Sequence, residues 1–142
     1  MQVRNILNAK GRDVFTVVAA MGIPELAREL VRRRNGAAVV LGDDGALVGV
    51  ISERDLIYSI AESGAQCLER TVADLMTREV ITCTPDTSVD EVMNDMTERR
   101  IRHLPVIEDG ALAGIISIGD VVKHRIEVVE REANQLREYI TA

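Results

Sequence analysis

The sequence has no tryptophan, one phenylalanine and two tyrosines among 142 residues. Its core must therefore be built from Val, Ile, Leu, Ala and Met, with little aromatic packing to help. The two cysteines, Cys67 and Cys83, lack the spacing of a zinc site or a disulfide framework, which suits a reducing compartment. No apolar run approaches the roughly 18 residues that span a bilayer. The opening stretch MQVRNILNAKGRDV lacks a signal-peptide pattern, so the expected setting is the cytoplasm, without a membrane partner. Positive charge is scarce too. Seventeen Lys and Arg against 23 Asp and Glu leave a net charge of −6. That argues against a nucleic-acid partner, whose backbone needs clustered cations. One bound nucleotide needs only a few local basic residues and stays open. There is no Walker loop, nucleophile elbow, Ser-His-Asp set or metal cluster, so neither catalysis nor a metal is expected.

What the chain does have is one unit written twice. The 46% hydrophobic and 28% charged residues fit a soluble globular protein. Asp13 aligns with Glu79 and Leu41 with Ile107, both 66 positions apart, and Gly45 aligns with Gly110, 65 apart. The one-residue slip falls in a turn, GDDG against EDG, where length changes are tolerated. Upstream, VRNIL matches VADLM, so the repeat runs from about residue 3 to about residue 124. Each half begins with a β-rich stretch, Val14–Val18 or Val80–Cys83. An apolar stripe at helical spacing follows: Ile23, Leu26, Ala27, Leu30 and Val31, or Val89, Val92, Met93 and Met96. Two strands joined by an Asp-Gly turn come next, Ala37–Leu41 with Ala46–Ile51 and His103–Ile107 with Ala111–Ile116. A second helix starts at Ser52 or Ser117. The expected fold is α/β of the α+β kind, two β-α-β-β-α repeats packed with pseudo-twofold symmetry. Residues 1–66 form the first repeat, 67–125 the second and 126–142 a C-terminal helical extension. In that extension Val122, Ile126, Val129, Ala133, Leu136 and Ile140 are spaced 4, 3, 4, 3, 4, a heptad seam that lies either along its own domain or on a second subunit.

The second helix of each half opens on a phrase, GVISERD at Gly49–Asp55 and GIISIGD at Gly114–Asp120. Ser-x-x-Asp is a capping box, in which Ser and Asp satisfy helix amides reciprocally. A carboxylate is also the paired acceptor that a ribose cis-diol requires. First-turn amides suit a phosphate, and Gly49 and Gly114 permit close approach of a ligand or a facing strand. Capping and binding are compatible.

Two β-α-β-β-α units ending Gly-h-h-Ser-x-x-Asp, with RHLPV before the second turn, resemble a tandem pair of CBS (cystathionine-β-synthase) domains, a Bateman module. The resemblance covers all but the C-terminal extension. It implies a regulatory module whose clefts between repeats bind AMP, ADP, ATP, NAD(H) or S-adenosylmethionine, with no required cofactor. It gives the ribose hydroxyls to Asp55 and Asp120, and ribose and phosphate to Ser52 and Ser117. Adenine falls near Thr16 and Thr82, and phosphates near Arg102 and His103 before Pro105. In the first half Gly36, Ala37 and Val39 stand at the positions of Arg102, His103 and Pro105, and VAA replaces TPD, so equal occupancy of the two sites is not expected. Arg54, matched by Gly119, would reach across a face-to-face pair. The expected partners are an adenine nucleotide, a second copy in a homodimer and an unidentified regulated protein. The alternatives are a ligand-free interaction module and an S-adenosylmethionine binder.

Overall fold

The fold is that of a computed structural model, which describes residues 1–141. Its elements run α1 (Val3–Lys10), β1 (Thr16–Val18), α2 (Ile23–Arg33), β2 (Ala37–Leu41), β3 (Leu47–Ser52) and α3 (Glu53–Ser63). A 3-10 turn (Gly64–Glu69) leads to α4 (Val72–Leu75), α5 (Val89–Arg99), β4 (His103–Glu108), β5 (Ala111–Ser117) and α6 (Ile118–Thr141). The repeated α/β order and the long C-terminal helix are those expected, and α6 is one continuous helix of 24 residues from the second motif onward.

The chain divides into two compact units that do not coincide with the written repeat. One comprises Asp13–Thr82 with Asp109–Leu112; the other comprises Met1–Arg12, Cys83–Glu108 and the chain from Ala113 onward. The segment heading each repeat thus packs in the unit of the other. The backbone shows why. The first helical amides of α1 have no partner within their own helix; Val3 N–H donates to the Thr87 carbonyl and Arg4 N–H to that of Pro85, both at 2.9 Å. The same docking recurs for α4, where Val72 donates to Met21 at 2.8 Å and Ala73 to Ala19 at 2.9 Å. The TPD-to-VAA difference leaves this docking intact, because backbone carbonyls carry it.

In the unit built on Asp13–Thr82, β1 runs parallel to β2 and β2 antiparallel to β3. The apolar face of this sheet packs with α2 and α3 around Val17, Leu26, Val40, Ile51 and Leu56. Of the α2 stripe, Ile23, Leu26 and Leu30 are buried, whereas Val31 is 79% exposed. At 100° per residue Val31 lies about 80° from Ile23, on the flank of the stripe.

The other unit holds β4 and, from Ala113 onward, β5, two strands that form a two-stranded sheet. They are joined through Asp109 (φ 52°) and Gly110 (φ 80°), the two left-handed positions of a tight hairpin turn. Its buried apolar residues include Leu7, Val92, Met96, Leu104, Val106, Ile116 and Val121. The strand expected over Val80–Cys83 shrinks to a single parallel bridge between Cys83 and Val106. Pro105 accounts for the loss. It stands where Val39 stands, and the bond that Val39 N–H makes to the Phe15 carbonyl at 3.0 Å has no equivalent when that residue is proline.

Candidate functional site

Both Ser-x-x-Asp motifs cap their helices. At α3, Ser52 N–H donates to Asp55 Oδ2 at 2.8 Å, and Asp55 N–H donates to Ser52 Oγ at 3.4 Å. At α6, Ser117 N–H donates to Asp120 Oδ2 at 2.9 Å and Asp120 N–H to Ser117 Oγ at 3.1 Å. A third amide in each first turn is also taken. Glu53 N–H donates to the Gly36 carbonyl at 2.9 Å, and Ile118 N–H to the Arg102 carbonyl at 2.8 Å. Most of the donors that the sequence offered to a phosphate are thus engaged within the protein, and the helix end presents its dipole with few open amides.

The carboxylates themselves are only half used. In both motifs the capping bonds fall on Oδ2, and Oδ1 accepts none of them. Each Asp therefore caps with one oxygen and keeps the other as an acceptor on a half-buried side chain. The two differ in charge. Lys10, in the last turn of α1, places its Nζ 2.6 Å from Asp120 Oδ2 and 2.9 Å from the Ile115 carbonyl. Burial works to raise the Asp120 carboxyl, but the bonds from Lys10 and from the Ser117 amide outweigh it and hold the group below its ordinary range. Among the described residues, no ion pair reaches Asp55.

Gly49 and Gly114 have a role the sequence left open. A side chain on Gly49 would meet Met76 Sδ at 2.7 Å and the Thr77 carbonyl at 2.9 Å, and one on Gly114 would meet Leu7 Cδ2 at 2.6 Å. Leu7 and Met76 are matched residues of the two head segments. In each unit the motif glycine makes room for that segment, and at Gly49 the segment faces the strand directly, in an antiparallel bridge between Val50 and Thr77.

The remaining predicted residues fall near the strand beginnings. Ala37 opens β2, is buried and pairs with Ser52. His103 opens β4 and is half-buried, Pro105 is buried within it, and Arg102 is exposed just before it. Arg54 is exposed in the first turn of α3; Thr16, on β1, and Thr82, next to Cys83, are exposed as well. A groove of about 460 Å³ opens between α2 and α3, lined by Leu30, Val31, Glu53 and Ile57 among others, but by none of the predicted site residues. Among the described residues no group of three or more His, Cys, Asp or Glu gathers as a metal site, and no helix is long and apolar enough to cross a membrane.

The family model for the CBS domain matches this chain twice, at residues 3–62 and 72–127. The chain belongs to the CBS domain family. A CBS-domain containing protein of Agrobacterium tumefaciens is 46% identical, with a TM-score of 0.85 over 87% of this chain and 92% of that one. A mitochondrial CBS domain-containing protein of Arabidopsis thaliana is 39% identical over 82% of this chain, which spans 58% of that relative's length. The CBS domain pair of protein MJ0100, solved in complex with 5′-methylthioadenosine and S-adenosyl-L-methionine, is 27% identical, with a TM-score of 0.76 over 87% of this chain and 94% of that one. An inosine-5′-monophosphate dehydrogenase of Thermoplasma acidophilum is 34% identical over 78% of this chain, a stretch that is 21% of the enzyme.

The partner of Asp120, Lys10, is what sequence reasoning missed. It lies 110 positions from Asp120, outside the motif. Only the exchange of head segments brings it to the carboxylate.

Proposed function

We propose that this protein is a non-catalytic regulatory module that binds an adenosine-containing ligand through the Ser-x-x-Asp motif of each CBS repeat. One observation carries the reading: the motif carboxylates spend Oδ2 on the helix cap and keep Oδ1 for an outside donor, which a ribose hydroxyl supplies. Asp55 and Asp120 are the proposed ribose acceptors, with Ser52 and Ser117 beside them and Thr16 and Thr82 toward the base. The second repeat adds Arg102 and His103, and the head segment of the first repeat brings Lys10 to Asp120, so the ligand there carries phosphate, as AMP, ADP, ATP or NAD(H) does. The first repeat, with Ala37 opposite Ser52 and Gly36 at the position of Arg102, is the weaker phosphate site.

A second reading is favoured by the MJ0100 pair, whose bound ligands carry no phosphate. There the same carboxylates would hold S-adenosylmethionine or methylthioadenosine. The discriminating experiment is a thermal-shift panel of AMP, ATP, NAD, NADH, S-adenosylmethionine and methylthioadenosine. A rise in melting temperature with the phosphate-bearing ligands supports the first reading, and a rise with only the last two supports the second. No shift with any of them overturns both and leaves a ligand-free interaction module. The module is proposed to act as a homodimer on a separate regulated protein. The free, buried thiols of Cys67 and Cys83 suit the reducing cytoplasm.

A further inference from the structure

The face of α6 formed by the heptad seam is uncovered. Ile126, Leu136 and Ile140 are 53%, 63% and 73% exposed, and Val122 and Val129 are about half exposed. The helix packs within its own unit through a different side, where Val121 is buried and His124 and Val128 are half-buried. Taken as a heptad, the seam places Val122, Val129 and Leu136 at d and Ile126, Ala133 and Ile140 at a. Ile126 and Ile140 at a with Leu136 at d fit a two-stranded parallel pair, and Val122 and Val129 at d do not add to that preference.

The flanking charges supply an independent argument. The g positions hold Arg125 and Glu132, and the e positions five residues further on hold Glu130 and Arg137. In a parallel in-register pair, g of one helix faces the following e of the other. Arg125 then faces Glu130 and Glu132 faces Arg137, opposite signs at both steps and again on the symmetric side. We infer that α6 of two copies pair as a parallel, in-register coiled coil along this seam. The existing contact of Arg125 with Asp90, 3.6 Å between two exposed groups, is long enough to yield. The inference rests on the homodimer proposed above and adds its geometry.

Two variants of the full chain test it. Ala133→Cys puts a thiol at a central a position that meets its own copy only in a parallel, in-register pair; an antiparallel pair sets a against d. The native thiols Cys67 and Cys83 are buried and leave the assay clear. Under mild oxidation Ala133→Cys is expected to form a covalent dimer, while Arg131→Cys, at the outward f position, does not. In the second test an acidic variant (Arg125→Glu with Arg137→Glu) is mixed with a basic one (Glu130→Arg with Glu132→Arg). Four like-charge pairs in each homodimer become four attractive pairs in the heterodimer, so the ratio of heterodimer to homodimers in an equimolar mixture is expected to exceed its statistical value by about tenfold. Light scattering separates the two levels of failure. A wild-type mass of 15.6 kDa overturns the homodimer and the coiled coil together. A dimeric wild type, with no covalent dimer from Ala133→Cys and statistical mixing of the charge variants, overturns the coiled coil alone.

Discussion

Asp55 and Asp120 make the same cap, but only Asp120 meets a lysine, and this predicts unequal costs for one substitution. Asp→Asn keeps an oxygen for the Ser52 or Ser117 amide and removes the charge. At Asp55 the loss is the interaction of a carboxylate with the helix N-terminus, about 0.5 kcal/mol. At Asp120 the 2.6 Å bond from Lys10 is lost as well, between side chains 31% and 22% exposed. A partly screened charge-assisted bond of this kind contributes about 1 kcal/mol. Asp120→Asn should therefore cost roughly 1.5 kcal/mol in urea unfolding against roughly 0.5 for Asp55→Asn, a gap of about 3 °C in melting temperature. The sign of the pH dependence follows from the depressed carboxyl of Asp120. Its contribution is full above the unfolded value near 3.9 and disappears as pH falls through the lower folded value. Wild type and Asp120→Asn should differ at pH 7 and converge in strong acid. A double-mutant cycle with Lys10→Met isolates the pair and should return about 1 kcal/mol of coupling. Equal losses at the two aspartates, or a cycle that closes to zero, would refute the reasoning.

The motif glycines should also rank. Gly49→Ala meets the Thr77 carbonyl, which is fixed by its bond from Val50 N–H at 3.0 Å, and should cost about 3 kcal/mol. Gly114→Ala meets the end of the Leu7 side chain, which can turn, and should cost about 1–2 kcal/mol less, read from denaturant midpoints. Burial, with the nearby Asp95 charge, pushes the Cys83 thiol up to about 11; Cys67 is fully buried. A thiol-reactive reagent at pH 8 should label neither cysteine in the native protein and both after unfolding. Arg34 and Arg100 end α2 and α5 with φ of 54°, a conformation that costs an L-residue about 1 kcal/mol. Replacing either by Gly should leave stability unchanged or raise it slightly in the same denaturant series.

The repeat, its hairpins and both caps were legible because they are local. Ser52-x-x-Asp55 and Ser117-x-x-Asp120 need only three residues of spacing, and Asp109–Gly110 specifies its turn by backbone preference alone. The exchange of head segments was not legible, because the alignment of Val3 with Val72 says nothing of which half each packs in. Lys10 was missed for the same reason, and the motif glycines were read as room for a ligand or a facing strand without naming the head segments, whose Leu7 and Met76 fill it. The lost strand at Val80–Cys83 was readable in principle. Pro105 at the position of Val39 is visible as a difference between the repeats, and its missing N–H is what weakens the strand beside it.

The free oxygens of Asp55 and Asp120 are the proposed acceptors for the ribose of an adenosine ligand. Isothermal titration of wild type, Asp55→Asn, Asp120→Asn and the double variant with AMP tests it most directly, with S-adenosylmethionine as the alternative titrant. Two classes of site in wild type, one lost in each single variant and both in the double, is the predicted result. Titrations that show no heat with either ligand, or heat that survives in the double variant, would contradict the account.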